Sequence, residues 1–273
     1  KVLGGAATYI SLASSYFVPN KINVISVVGE DFDKNTLNSM NKRGIDTKGV
    51  KIVPGGKTFF WSGRYHNDLN TRDTLATELN VLADFQPEIL PEYQNPEFLM
   101  LGNLTPAVQL SVIEQLEKRP KLIGLDTMNF WIESALPELE EVLQKVDVLI
   151  INDEEARMLA KDYSLVKSAS KIMQMGPQYV IIKKGEHGAL LFHKNHIFFA
   201  PALPIEEVFD PTGAGDTFAG GFIGYLAKVR DISFESMKNA VIFGSAMASF
   251  CVEKFSTERL ENLKSNEINE RVE

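Results

Sequence analysis

Residues 209–221 read Phe-Asp-Pro-Thr-Gly-Ala-Gly-Asp-Thr-Phe-Ala-Gly-Gly, and they put an anion pocket next to a carboxylate. An apolar run ending at Phe209 gives way to Asp210-Pro211, and Gly213-Ala214-Gly215 then opens a long apolar segment of helical character. The first turn of a helix has backbone N–H groups without intrahelical partners, and the helix dipole makes that end electropositive. Glycines there let the backbone approach an anion closely. Asp216 adds a carboxylate where repulsion from a bound anion would ordinarily forbid one. That pairing fits a base that takes a proton from a hydroxyl attacking phosphorus. The chemistry implied is phosphoryl transfer, against the plainer alternative of a Pro/Gly turn capping a buried helix.

Two commoner phosphate motifs are excluded. A dinucleotide fingerprint needs a third glycine three residues after Gly215, and that position is Phe218. Gly56-Lys57-Thr58 imitates the end of a P-loop, but Lys51 stands where its leading glycine belongs. The residues that follow, Phe59-Phe60-Trp61, read as strand and not as the helix a P-loop requires.

The string Asp210-Pro-Thr-Gly-Ala-Gly-Asp-Thr-Phe218 resembles the C-terminal signature of the ribokinase or PfkB-type carbohydrate and nucleoside kinases. The resemblance maps the catalytic base onto Asp216 and the anion hole onto the amides of Gly213, Ala214 and Gly215. Asp210 matches a position tied to a monovalent-cation loop and the metal–phosphate network, and Thr212 falls on the nucleotide side. Asn152-Asp-Glu-Glu155 follows an apolar run and is similar to the family motif that holds Mg²⁺ and the phosphates of ATP. Oxygen ligands acting through water suit Mg²⁺, which keeps much of its hydration shell. Asn152 and Glu155 read equally as a helix capping box. Val180 to Ala189 matches a nucleotide-binding segment, which puts Lys183, Gly185 and Gly188 toward ATP; paired lysines at a solvated strand end are the plainer reading. Gly244 aligns with a position near the adenine ring, where a small residue leaves room, although small residues in helices also serve packing. Gly4-Gly5 resembles the glycine pair at the hinge beside the sugar site. Relatives carry Asn four residues after that pair, whereas this chain has Tyr9. A ribose or fructose contact at that position is thereby opened to something bulkier or less polar.

These groups need a scaffold, and helix-like and strand-like segments alternate to supply one. Residues 5–17 read as helix, 22–28 as strand and 32–43 as helix. From residue 97 onward the order is strand 97–101, helix 106–118, strand 121–125, helix 134–144, strand 146–151 and helices 153–161 and 165–175. Strands at 179–184, 188–193 and 196–200 follow. Such alternation implies a mostly parallel sheet with helices on both faces, an α/β fold. Ligands bind such sheets at the carboxyl ends of the strands, where Asp126, Asn152 and the 210–216 loop should converge. The resemblance makes this a ribokinase-like three-layer α/β/α domain over 1–48 and 83–273. Residues 49–82 are β-rich, with strands expected at Thr58–Trp61 and Thr74–Val81 and a turn at Asn67–Asn70. In the family such an excursion forms a small lid over the substrate and pairs with a second subunit, so a homodimer through the lid is an expectation. Trp61, Arg64, Tyr65 and Arg72 are candidate substrate or interface residues, alongside the plainer reading of lid core and surface. Residues 256–273 are highly charged and read as a surface helix or frayed tail. Relatives begin with a strand and a substrate-binding aspartate ahead of the glycine pair, so a segment preceding Lys1 is expected.

Composition bounds the remaining classes. The chain has 273 residues, 44% hydrophobic and 23% charged, enough for one large domain with a sizeable core. Cys251 is the single cysteine, which excludes a disulfide framework. No apolar run reaches the roughly 18 residues that span a bilayer, and a net charge of −8 argues against nucleic-acid binding. His193-x-x-His196 falls across an expected turn and is read as surface. The expectation is a cytoplasmic ATP- and Mg²⁺-dependent kinase acting on a sugar or polyol hydroxyl, with a monovalent cation as a further cofactor. A nucleoside kinase of the same fold is one alternative. A non-catalytic nucleotide-binding regulatory protein is the other.

Overall fold

The chain opens with α1 (Ala6–Ser15), β1 (Ile22–Gly29), α2 (Lys34–Lys42) and β2 (Ile45–Val53), in a computed structural model that describes residues 2–66 and 72–273. β1 and β2 pair in parallel as a sheet of their own, packed on α1 and α2 through Leu12, Val24, Met40 and Ile45. β2 runs across residue 49, where the lid was expected to start. The lid itself is an antiparallel ribbon of β3 (Phe60–Tyr65) and β4 (Arg72–Glu78). The expected strand over 74–81 is therefore shifted, and Asn80–Leu82 instead forms a 3₁₀ turn that buries Leu82. The turn expected at Asn67–Asn70 and the side chain of Arg72 lie outside the described residues.

The main sheet is assembled from runs that are apolar on both faces. β5 (Phe98–Leu101), α3 (Pro106–Gln115), β6 (Leu122–Asp126), α4 (Asn129–Ser134), α5 (Leu136–Leu143), β7 (Val148–Asn152), α6 (Asp153–Ala160), α7 (Leu165–Gln174) and β8 (Tyr179–Lys183) alternate as expected. One difference is the helix expected at 134–144. Pro137 in the first turn of α5 separates it from α4, because a proline starts a helix readily but cannot sit inside one. β9 (Ala189–His193) and β10 (His196–Ala200) complete a six-stranded sheet of order β10-β9-β8-β7-β6-β5. β5 to β8 are parallel, while β9 and β10 add antiparallel at one edge.

Two helical layers cover this sheet. α8 (Ala214–Val229) and α9 (Phe234–Cys251) lie on one face, and α3, α5, α6 and α7 on the other. Side chains alternate across β7: Leu149 and Ile151 join the cluster under α5, α6 and α7, while Val148 and Ile150 join that under α8 and α9. All four are fully buried, and each such side chain contributes about 1.5–3 kcal/mol. α8 is also gripped by α1, where Ser14 Oγ donates to Gly220 O at 2.9 Å.

The charged C-terminus is packed and not frayed. α10 (Glu258–Glu261) and α11 (Ser265–Val272) bury Leu260, Leu263 and Ile268 against Phe250 and Cys251. Arg259 and Arg271 pair with Glu253, and both guanidinium groups lie over the Phe250 ring, at 5.0 and 3.4 Å from its centroid. A charge-rich segment can pack this way because its few apolar residues share one face and its arginines cover an aromatic ring.

Candidate active site

One cleft is bordered by Gly4, Gly5 and Tyr9, the lid strand β3, Asp126, Asn152, Glu155, Lys183 and residues 210–216. The strand tips are its floor. Asn152 and Lys183 are register partners at the ends of β7 and β8, and Asp126 ends β6 beside them.

The signature loop is tightly fixed. Phe209 N donates to Val252 O at 2.8 Å, and Thr212 N donates to Asp210 Oδ1 at 2.9 Å. Gly213 caps α8 with φ 82°, a left-handed conformation that glycine adopts without strain. A Cβ at Gly213 would also overlap the Tyr9 ring. No described side chain caps α8, and its first turn lines the cleft with amides that lack intrahelical partners. Ala214 N is the exception, since it donates to Pro211 O at 3.1 Å. Of the three amides expected to form the anion hole, Ala214's therefore belongs to the turn, whereas Gly213 and Gly215 flank the pocket. Asp216 is the third residue of α8, in the first turn of that helix.

Tyr9 is 2% exposed. It forms the floor under Gly213, within a cluster that includes Ala13, Met247, Phe250 and Cys251. Burial, then the nearby Cys251, Asp210 and Asp216, push its phenol well above the ordinary value. Burial likewise pushes the Cys251 thiol up to about 12, and Sγ sits 3.7 Å from Thr212 O. Tyr9 thus supports the anion loop from beneath. Gly5 caps α1 at φ 96° with open space around it.

Asn152 and Glu155 form the reciprocal capping box of α6. Glu155 N donates to Asn152 Oδ1 and Asn152 N to Glu155 Oε2, both at 2.8 Å. Among the described residues no three His, Cys, Asp or Glu side chains group to hold a metal ion. A cation that keeps its own waters and leans on one buried carboxylate fits this donor set, whereas a caged metal does not. Gly185 and Gly188 bound a 3₁₀ turn after β8 with φ 55° and 81°. Gly244 is buried, and a Cβ there would stand 2.9 Å from Phe218 O, so it serves close packing of α9 on α8. The cleft wall at that height is formed by Ser245 and Ala248.

Two features escaped sequence reasoning. Lys183 Nζ lies 3.6 Å from Asp126 Oδ1, with both side chains largely buried. Gln109, fully buried, bridges the tips of β5 and β6 by donating to Gly102 O and Asp126 O. A polar residue ending an apolar strand was a usable signal for Asp126 and Lys183, but a lone helical glutamine carried none. On the lid, Trp61, Gly63 and Tyr65 share one face of β3, since the bulge at this point falls on β4. The Trp61 indole lies over Gly63, where a Cβ would overlap it, and Tyr65 Oη comes 3.4 Å from Thr212 Oγ1.

Comparison with known proteins agrees with this geometry. A sequence model of the pfkB family carbohydrate kinases matches residues 1–263. A cytidine kinase of Thermococcus kodakarensis is 31% identical over 84% of this chain and 82% of its own length. Among solved structures, the Burkholderia thailandensis nucleoside kinase in complex with inosine superposes with TM-score 0.79 at 20% identity, covering 98% of this chain and 86% of that one. A putative ribokinase II from E. coli in complex with ATP and Mg²⁺ gives TM-score 0.78 at 19% identity, covering 99% and 89%. These superpositions establish the ribokinase fold, an α/β fold with a mostly parallel sheet. With the signature loop, the family match and the cytidine kinase relative in agreement, the chain belongs to the pfkB family of carbohydrate kinases and is a phosphotransferase with a hydroxyl acceptor.

Proposed function

We propose that the chain transfers the γ-phosphate of ATP to a hydroxyl of a nucleoside, with Asp216 as the general base. The observation that carries the nucleoside assignment is the Trp61 indole, which lies over Gly63 on the face of β3 that also carries Tyr65, whose Oη is 3.4 Å from Thr212 Oγ1. A ring held there offers a stacking surface for a base, a contact worth about 1–3 kcal/mol. The cytidine kinase relative supports the same reading. Asp216 takes the proton from the acceptor hydroxyl as its oxygen attacks phosphorus in line. The amides flanking the first turn of α8 stabilise charge on the transferred group. Mg²⁺, when bound, neutralises phosphate charge, and Glu155 and Asn152 would hold it through water. The Asp210–Thr212 turn lies where a monovalent cation would bind.

Lid residues also suggest a partner. Leu75, the bulged residue of β4, is 60% exposed, and a homodimer through the lid would cover it. A cytoplasmic enzyme fits the single buried cysteine and the demand for ATP. Among the described residues no helix is long and apolar enough to cross a membrane.

The test is ADP release from Mg·ATP with a panel of nucleosides, sugars and polyols, run with the chain and with Asp216→Asn. Release with a nucleoside is expected, lowered at least about 10²-fold in the variant while ATP binding is kept. Release with sugars alone would reassign the acceptor. Near-normal turnover in the variant would remove Asp216 from the mechanism.

A further inference from the structure

The Lys183 ammonium touches two different environments. On one side stands the Asp126 carboxylate, 3.6 Å away. On the other is the first turn of α8, where a Cβ built on Gly215 would lie 2.8 Å from Nζ. A cation at a helix N-terminus sits at the positive end of the dipole, so it needs a counter-charge to rest there. Asp126 supplies that charge from a fixed position, because Gln109 ties its carbonyl to the neighbouring strand tip. Lysine, with its four-carbon stem, is the mobile member of the pair.

This end of the cleft is otherwise unwelcoming to a polyanion, since Asp126, Glu155, Asp210 and Asp216 all line it. A phosphoryl group at the α8 amides comes within reach of the ammonium and competes with Asp126 for it. We infer that Asp126 is a positioning residue that parks Lys183 beside the anion pocket and yields it to the donor phosphates. The inference rests on the ATP-dependent kinase reading above. Its consequence has an unusual sign: Asp126 opposes donor binding, because each binding event must draw the lysine from its resting partner.

Calorimetric titration of the full chain with Mg·ATP, and with AMP as a ligand lacking the outer phosphates, tests this. Asp126→Asn is expected to bind Mg·ATP about tenfold tighter, and Lys183→Met about tenfold weaker, as close charge pairs in recognition sites couple by such amounts. AMP affinity is expected to stay constant in both. In Asp126→Asn/Lys183→Met the effect of the first substitution is expected to vanish, leaving the affinity of Lys183→Met alone. A merely structural Asp126 would weaken both ligands or neither. Unchanged or weaker Mg·ATP binding in Asp126→Asn overturns the inference, as does an Asp126 effect that survives without the lysine. Should Asp126→Asn fail to fold, Asp126→Ala carries the same test, since tighter Mg·ATP binding with constant AMP affinity supports the parking role and unchanged or weaker Mg·ATP binding refutes it. Absence of Mg·ATP binding by the unaltered chain would instead bring down the kinase reading on which the inference depends.

Discussion

The phosphate end of the cleft and its lid are built on opposite plans. At the phosphate end, backbone groups of a helix start are held by buried elements: Tyr9 below Gly213, Cys251 behind Thr212, and α1 and α9 on either side of α8. The lid is a two-stranded ribbon whose described side chains are half-buried at best, and β3 presents side chains to the cleft. A two-stranded ribbon is only marginally stable by itself. The difference suits what each end would recognise under the proposed function. A phosphoryl group is the same in every turnover and rewards rigid, preorganised dipoles. On the proposed function, an acceptor enters and leaves beside the ribbon, and its identity would be read by a few side chains of β3.

If that contrast is sound, small backbone changes at the phosphate end should cost more than large side-chain losses on the lid. Gly213→Ala adds a single methyl group, yet it places a Cβ at φ 82° and drives it into the Tyr9 ring. The expected result is about a 10²-fold fall in turnover, the scale of an ångström-sized misplacement, with a lower melting temperature. Turnover within a few-fold of the unaltered chain would show that the loop is softer than the packing beneath it implies. Trp61→Ala removes an entire indole, and the expected effect is milder. The KM for the nucleoside should rise about tenfold while that for ATP stays put, as loss of one stacked ring predicts. An equal rise in both would mean that the lid also shapes the donor site.

The smallest effect concerns the buried floor. The Cys251 thiol is raised to about 12 by burial, so the folded chain keeps its proton where an unfolded thiol, near 8.5, loses it. The unfolded state then binds fewer protons, and stability should be level below about pH 8 and decline as pH rises toward 12. Urea unfolding at pH 8, 9 and 10 measures that slope, which Cys251→Ala should flatten. An identical slope in the variant would mean that other groups, Tyr9 first among them, set the alkaline limit.

Much of the site was legible in the residue order because local rules produce it. Gly213 to Asp216 must open a helix, and Asn152 to Glu155 form a capping box, as their spacing says. Both motifs are contained within a few residues and need no distant partner. The sheet was equally readable, because strands buried on both faces leave uninterrupted apolar runs such as Val148–Ile151. Long-range packing decided what the local pattern left open or misplaced. Gly244 packs on Phe218, the C-terminal segment folds over Phe250, and the second lid strand stops at Glu78 so that Leu82 can be buried.

The sequence by itself determined the local frame: a glycine-rich helix start, a carboxylate in its first turn, and a mostly parallel sheet to present them. These follow from backbone hydrogen bonding and side-chain periodicity, which are local properties. Tertiary structure alone decided that Tyr9 underlies the anion loop, that Lys183 rests on Asp126, and that Trp61 lies over Gly63. Each is a meeting of side chains or surfaces whose geometry is set by how strands, helices and ribbon stack. Residue types alone do not encode that stacking in any short window.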